Sequence, residues 1–156
     1  MIGEEKRRFT LGKSEKLRHR SLVEALFTSG KKLYDFPLRA LWRALSEEEL
    51  EASFRIAVPD GIGRLQMMIT VPKRKRKRAV DRVLLRRRIR EAYRLNRHIL
   101  KDALDRHPEI RTLDISFIYL HDENCDYAKI QRRMQKILSR IASEIEAGAT
   151  CSESEK

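Results

Sequence analysis

The segment from Lys73 to Lys101 combines dense positive charge with a helical repeat of apolar residues. It contains fourteen lysine and arginine residues, opposed only by Asp81 and Glu91. A second set of residues, mostly apolar, recurs along it in steps of three and four, at positions 85, 89, 92, 96, 99 and 103. This spacing is typical of a helix that packs one face on a hydrophobic core. The sequence therefore predicts a folded basic helix over about residues 79–105, not a disordered basic tail.

On a helical wheel drawn at 100° per residue, the basic side chains of this helix share one arc of about 140°. The arc contains Arg82, Arg86, Arg87, Arg90, Arg94, Arg97 and Lys101. Glu91 is the one acidic residue close to it, whereas a solvated helix usually interleaves glutamate with arginine. Arginines placed this close repel one another unless an anion lies across them. The arc therefore predicts a surface for a polyphosphate chain.

Length and charge restrict the class of protein and its partners. The chain has 156 residues and a net charge of +12, which suits one domain that binds nucleic acid. Membrane binding is not expected, because no apolar run is long enough to span a bilayer. The N-terminus lacks a hydrophobic signal region, so a cytoplasmic protein is expected. Cys125 and Cys151 form no C-x-x-C motif, which indicates a reducing compartment and no zinc site.

Periodicity and turn residues predict a single α+β domain of order α-β-β-β-α-β-α, with one sheet and helices packed on it. A capping box from Ser21 to Glu24 predicts the start of a first helix over about 21–29, with Gly30 as its stop. Strands are predicted at 31–44, 54–58, 65–71 and 113–120, and a last helix at about 126–146. Residues 46–52 are predicted as a loop or short turn. The domain is predicted over 14–146, between a basic arm (1–13) and a disordered polar tail (147–156).

The basic helix resembles that of the protein subunit of bacterial ribonuclease P. That family carries a pattern close to A-V-x-R-N-x-x-K-R-x-x-R-E-x-x-R, which aligns with Ala79 to Arg94. Direct matches are Arg82, Arg87, Arg90 and Glu91, while Arg86 keeps the charge of the family lysine. One departure is Val83, which stands where the family has asparagine. The preceding strand and basic turn also resemble the family, and the likeness extends over about residues 9–145.

The resemblance implies that the protein itself carries no catalytic residue. A catalytic RNA with bound Mg²⁺ would remove the 5′ leader from precursor tRNA, and the protein would hold no firmly bound cofactor or metal. The implied fold is similar to the second domain of a small-subunit ribosomal protein, and no obligate protein partner is expected. The residues expected to bind the RNA are Lys73, Arg74, Lys75, Arg78, Arg82, Arg86, Arg87, Arg90, Arg94 and Arg97.

The resemblance further implies a cleft between the first helix and the sheet that holds the single-stranded leader. Such a strand needs apolar or aromatic surface beside positive charge. Candidates for the floor are Val23 and Phe27 on the first helix with Leu38 and Trp42 on a strand. Candidates for the lining are Arg39 and Arg43, with Lys73. For each apolar residue taken alone, ordinary core packing is the more common role.

Residues outside the basic helix form no catalytic or metal-binding pattern. The acidic stretch from His121 to Asp126 is better explained as a loop that ends in an N-cap for the last helix. Two other functions stay open at this stage: a ribosomal or RNA-chaperone protein with the same fold, and a DNA-binding regulator. The DNA-binding role is disfavoured because the arc is almost all arginine, without asparagine or glutamine to read adenine.

Overall fold

The computed structural model describes residues 11–151, which form one four-stranded sheet with helices on both faces. The helices are α1 (Arg20–Ser29), α2 (Glu47–Ala52), α3 (Ala79–Asn96), α4 (His98–Asp105) and α5 (Tyr127–Cys151). The strands are β1 (Lys31–Asp35), β2 (Leu38–Leu45), β3 (Leu65–Thr70) and β4 (Thr112–Tyr119). A 3-10 helix (Lys13–Glu15) precedes α1. The predicted single α+β domain is confirmed.

The strands lie in the order β1-β2-β4-β3. β1 and β2 form an antiparallel hairpin, and β2 pairs antiparallel with β4. β3 pairs parallel with β4, so the chain must cross over between them. That crossover is built from α3 and α4, because a parallel pair cannot be joined by a tight turn.

Each face of the sheet carries its own hydrophobic core. On one face α3, α4 and α5 pack against residues such as Trp42 and Phe117. On the other face α1 and α2 pack against Leu41 and Leu45 of β2. Successive side chains of a strand point to opposite faces, which is why neighbouring residues of β2 belong to different cores.

The predicted strands are partly corrected. The strand predicted over 31–44 is the β1–β2 hairpin, with its turn at Phe36 and Pro37. Proline cannot donate to a sheet ladder, so it interrupts the run. The strand predicted over 54–58 is wrong: this stretch is irregular, and its Ile56 is 86% exposed.

The predicted helix boundaries also change. The basic helix ends at Asn96, and the chain turns at Arg97 before it continues as α4. The capping box predicted at Ser21 is wrong, since α1 begins at Arg20 without a side-chain cap. The loop or short turn predicted over residues 46–52 is instead the helix α2, which starts with a capping box. There Ser46 accepts from the Glu49 backbone, and Glu49 accepts in return from the Ser46 backbone.

The predicted terminal segments are only partly described. Residues 1–10 of the predicted arm lie outside the described range, while Leu11 packs partly against the larger core. α5 extends to Cys151, beyond the end predicted for the last helix at about residue 146, and the disorder predicted for the tail stays a prediction. Residues 152–156 lie outside the described range. No helix between residues 11 and 151 is both long and apolar enough to cross a bilayer.

Candidate RNA interface

Three arginines of α3 form the centre of the cationic surface. Arg87 and Arg90 are exposed and Arg86 is half-buried, while Leu85 and Ile89 of the same helix are fully buried in the core. Within residues 11–151 no hydrogen bond or ion pair engages these three guanidinium groups. Their donors are therefore free to meet an external anion, and a guanidinium fork matches a phosphate in a bidentate manner.

The loop before α3 is held against the helix by its own side chains. Arg82 donates to the backbone carbonyls of Arg76 and Lys77, at 3.0 and 2.7 Å. Arg76 in turn pairs with Asp81 at 3.0 Å. Arg82 therefore positions the loop as well as carrying charge. The remaining basic residues of the loop project from this support: Lys73, Arg74, Lys77 and Arg78 are exposed and Lys75 is half-buried.

Asp81 connects the start of α3 to the loop that follows β4. A hydrogen bond from Asn124, 3.2 Å long, lowers the pKa of Asp81, and the charges of Arg76 and Arg78 lower it further. A carboxylate held in this way stays ionised at neutral pH. Asp81 therefore fixes the N-terminal end of the basic helix and neutralises little of the exposed arginine surface beyond it.

Arg94 and Arg97, both predicted to bind RNA, pair with glutamates of the protein. Arg94 pairs with Glu91 at 2.6 Å, and this hydrogen bond lowers the pKa of Glu91. Arg97 is 2% exposed and pairs with Glu15 at 3.1 Å. Its placement on the exposed arc is wrong, because the N-terminal 3-10 helix that carries Glu15 lies against this end of α3.

Exposed apolar residues lie among the arginines of α3. Val83, where the family pattern has asparagine, is 47% exposed, and Val80 is 61% exposed. On the helical wheel both fall beside Arg87. The surface can therefore offer van der Waals contact to a sugar or base next to the guanidinium groups, but Val83 offers no hydrogen bond.

The predicted leader cleft mixes residues from the two faces of the sheet. Arg39, Leu41 and Arg43 are two residues apart in β2, so their side chains point to the same face of the sheet. Leu41 packs beneath α1, so this is the face that also carries Val23 and Phe27 of α1. Leu38 and Trp42 point to the opposite face and are 0% and 3% exposed in the core beneath α5. Their placement in the cleft is therefore wrong. An offset of one residue along a strand reverses the face.

Tyr34 completes the aromatic surface on the α1 side and was not predicted. It lies opposite Arg39 in the hairpin and is 58% exposed, with the guanidinium carbon 5.5 Å from its ring centroid. Phe27 on α1 is 45% exposed. Tyr34 could have been found from its position next to Leu33, since neighbouring strand residues point to opposite faces and Leu33 is buried. That argument requires recognising that the chain turns at Pro37 and that residues 31–35 form a separate strand.

Buried polar side chains lie beneath α1 in the middle of the sheet. Asp114 and Ser116 of β4 and Gln66 of β3 are each at most 1% exposed. The Asp114 carboxylate oxygens and the Ser116 hydroxyl have no hydrogen-bond partner among the described residues. Burial raises the pKa of Asp114 to about 7, although the nearby Arg43 charge opposes the rise. Asp114 therefore titrates close to neutral pH.

Comparison with known proteins identifies the family. The sequence profile described as Ribonuclease P matches residues 11–142. The chain belongs to the ribonuclease P protein family. A ribonuclease P protein component of Porphyromonas gingivalis is 36% identical over 141 residues, which cover 90% of this chain and 93% of that protein. The Chlorobaculum tepidum component is 37% identical over 100 residues, which cover 64% and 59% of the two chains.

Solved structures of ribonuclease P proteins share the fold. The Staphylococcus aureus protein matches with a TM-score of 0.56 at 15% identity, over 81% of this chain and 94% of that one. The Thermotoga maritima protein matches with a TM-score of 0.55 at 21% identity, over 81% and 96%. The family match and the 36% identity to a ribonuclease P protein component make the chain a protein subunit of ribonuclease P, an endoribonuclease ribonucleoprotein in which catalysis belongs to the RNA. No finding favours the ribosomal, chaperone or DNA-binding alternatives.

The acidic stretch of this ribonuclease P protein has a structural role. The Asp126 carboxylate accepts a hydrogen bond of 3.0 Å from the Lys129 backbone, which confirms the predicted N-cap of α5. Arg88 of α3 donates to the Cys125 carbonyl, which ties the same loop to α3. Across residues 11–151, no three side chains of His, Cys, Asp or Glu are grouped as metal ligands would be.

We expect Asp114→Asn to stabilise the ribonuclease P protein at pH 8 by roughly 2 kcal/mol. The raised pKa means that the folded state binds a proton more readily than the unfolded state. Between about pH 4 and pH 7 Asp114 is ionised in the unfolded chain but still protonated in the folded protein, so the free energy of unfolding falls as pH rises through this range. Asparagine does not ionise and avoids that loss. The gain falls short of the full pKa difference, because a buried amide still pays for desolvation. Urea unfolding from pH 4 to 8 measures it; an unchanged pH dependence in the variant would contradict it.

Proposed function

We propose that the α3 surface and the loop before it bind the RNA subunit of ribonuclease P, and that the protein thereby assists removal of the 5′ leader from precursor tRNA. The observation that carries this proposal is the set Arg86, Arg87 and Arg90 on one face of a rigid helix, where no residue between 11 and 151 pairs with them. A rigid, packed helix holds these donors in fixed positions, so little entropy is lost when RNA binds.

The α1 side of the sheet is proposed to hold the single-stranded leader. Phe27 and Tyr34 supply exposed aromatic surface, and Arg39 supplies a charge beside Tyr34. Aromatic rings beside basic groups suit a single strand of any sequence, because every base can stack. The buried Asp114 lies beneath this surface, and its raised pKa of about 7 keeps much of it uncharged near neutral pH, so it opposes the leader phosphates little.

The division of labour follows from the side chains present. The candidate interface offers guanidinium and ammonium groups, which bind phosphates without acting as bases at neutral pH. Mg²⁺ is proposed to act at the catalytic RNA, and the protein is proposed to work in the cytoplasm without an obligate protein partner. On this proposal the protein lowers the Mg²⁺ that cleavage requires, because its cations replace part of the countercharge on the RNA.

Reconstitution tests the proposal. The purified protein is expected to leave precursor tRNA intact, and to restore correct 5′ cleavage at low Mg²⁺ when a bacterial ribonuclease P RNA is added. Gel analysis of end-labelled precursor tRNA measures both results. A parallel reaction with Arg86, Arg87 and Arg90 all replaced by alanine should need more Mg²⁺. Leader cleavage by the highly purified protein without RNA would refute the proposal.

A further inference from the structure

The first half of α5 carries a second concentration of positive charge. Residues 127–140 contain five basic residues and no acidic residue. On a helical wheel the five fall within an arc of about 100°, away from the buried stripe of the helix. The arc consists of Lys129, Arg132, Arg133, Lys136 and Arg140. Like charges three and four residues apart destabilise an isolated helix, so this arrangement is unfavourable without an anion across it.

Among the described residues, no acidic side chain pairs with the outer residues of this α5 arc. Arg133 is half-buried and pairs with Asp35 of β1 at 3.3 Å. Arg132, Lys136 and Arg140 are exposed, and across residues 11–151 no carboxylate pairs with them. They line a groove of about 700 Å³ between α5 and the edge strand β1, with Ser139 among them. Their spacing of four residues places successive charges about 6 Å apart along the helix.

The α5 groove and the α3 arginine surface lie on opposite sides of the helical layer. α5 packs over β1 and β2, whereas α3 packs on β3 at the other edge of the sheet. The side of α3 that meets α5 carries Arg88 and Asn96, which contact the Cys125 carbonyl and Gln135. Arg86 and Arg90 lie on the far side of α3 from these contacts. One RNA strand on α3 therefore does not also fill the groove on α5.

We infer that the groove between α5 and β1 binds a second segment of RNA, so that the protein bridges two parts of the ribonucleoprotein. The inference rests on the proposed function in one respect, namely that the protein works on RNA. A row of three exposed cations, unpaired within the part of the chain that the structure describes, is complementary to a phosphate backbone. Ser139 adds a neutral hydrogen-bonding group within the row, which suits a sugar or phosphate oxygen.

Tethered cleavage of RNA tests whether the two surfaces meet different segments. A hydroxyl-radical probe is attached at Ser139→Cys in the groove or at Val83→Cys on α3, each with Cys151→Ser; Cys125 is buried and stays unmodified. Each protein is assembled with a bacterial ribonuclease P RNA and precursor tRNA. The two probes are expected to cut separate sets of nucleotides. If the Ser139 probe cuts nothing, or cuts the Val83 set, the inference is overturned.

Charge removal tests whether the groove contributes to binding. Lys136→Gln with Arg140→Gln is expected to weaken RNA binding roughly tenfold at moderate salt, with a salt slope lower by about 1–2. The control variant, Arg18→Gln with Arg55→Gln, removes the same charge from exposed positions outside both surfaces. Equal binding by the two variants would overturn the inference. Loss of binding on substitution of the α3 arginines, measured in parallel, would leave the proposed function standing in that case.

Discussion

Arg97→Met is expected to lower the free energy of unfolding by about 3–5 kcal/mol. The Arg97 guanidinium is buried and pairs with Glu15 of the 3-10 helix, whose side chain is 17% exposed. Removing the cation leaves a carboxylate in a low-dielectric site beside the buried Tyr93. A buried charge without its partner costs far more than the pair itself contributes. Urea unfolding followed by circular dichroism measures the loss.

Two further variants identify the origin of that loss. Arg94→Met removes an arginine of the same helix that pairs with Glu91 at the surface, and it should cost less than about 1 kcal/mol. Glu15→Gln combined with Arg97→Met removes both charges and should recover part of the stability that Arg97→Met loses. If the Arg97 and Arg94 variants were equally stable, the buried pair would not be an important connection between the N-terminal segment and the α3–α4 junction.

Replacing Arg86, Arg87 and Arg90 together by alanine is expected to weaken binding to the ribonuclease P RNA roughly 100-fold, about 1 kcal/mol for each contact. The dependence of log affinity on log salt should fall by about 2–3, because three phosphate contacts are lost. The fold should persist, since none of the three side chains has an internal partner in the described range. Filter binding over a series of salt concentrations measures affinity and slope together.

The corresponding triple lysine variant separates charge from geometry. Lysine keeps the positive charge but cannot form the bidentate fork, so its salt slope should match the wild type while affinity drops by a smaller factor. Thermal melting of all three proteins serves as the folding control. Wild-type affinity in the alanine variant at every salt concentration would show that the RNA binds elsewhere on the protein.

The repeat along the basic segment predicted a helix correctly but did not reveal its interruption. Leu85, Ile89 and Ala92 are buried in α3 as their spacing indicates. Beyond Arg97 the buried residues are Leu100, Ala103 and Leu104 of α4, a change of phase from the predicted stripe. Position 103 belongs to both patterns, so the steps of three and four continue across the break. Burial of Arg97 depends on Glu15, which is far away in sequence.

The sequence could not show to which face of the sheet each side chain of β2 points, because helices cover both faces. Leu38, Ala40 and Trp42 are buried on one side, and Leu41 and Leu45 on the other. Alternation of apolar and polar residues identifies a core face only when the other face meets water. Composition alone therefore could not decide whether Trp42 points toward α1 or α5.

Two of the S-x-x-E sequences in the chain show why a local motif needs its surroundings. Ser46 and Glu49 cap α2, while Ser21 and Glu24 lie inside α1, where Glu24 instead pairs with Arg20. Both sequences have the residue types of a capping box, but the box forms only where the serine is the residue directly before the first turn of the helix. Gly30 was predicted correctly as the end of α1, since a Cβ there would lie 2.4 Å from the Leu26 carbonyl oxygen.

The position of β4 between β2 and β3 sets the order in which the protein can assemble. During synthesis the β1–β2 hairpin and β3 emerge before β4, yet they share no ladder with each other. Until residue 119 has left the ribosome, the strands already made expose unpaired edges, which favour aggregation. The helices α3 and α4 can form from local contacts in that interval. Because α3 precedes β4 in the chain, the arginine surface is synthesised before the sheet that supports it can close.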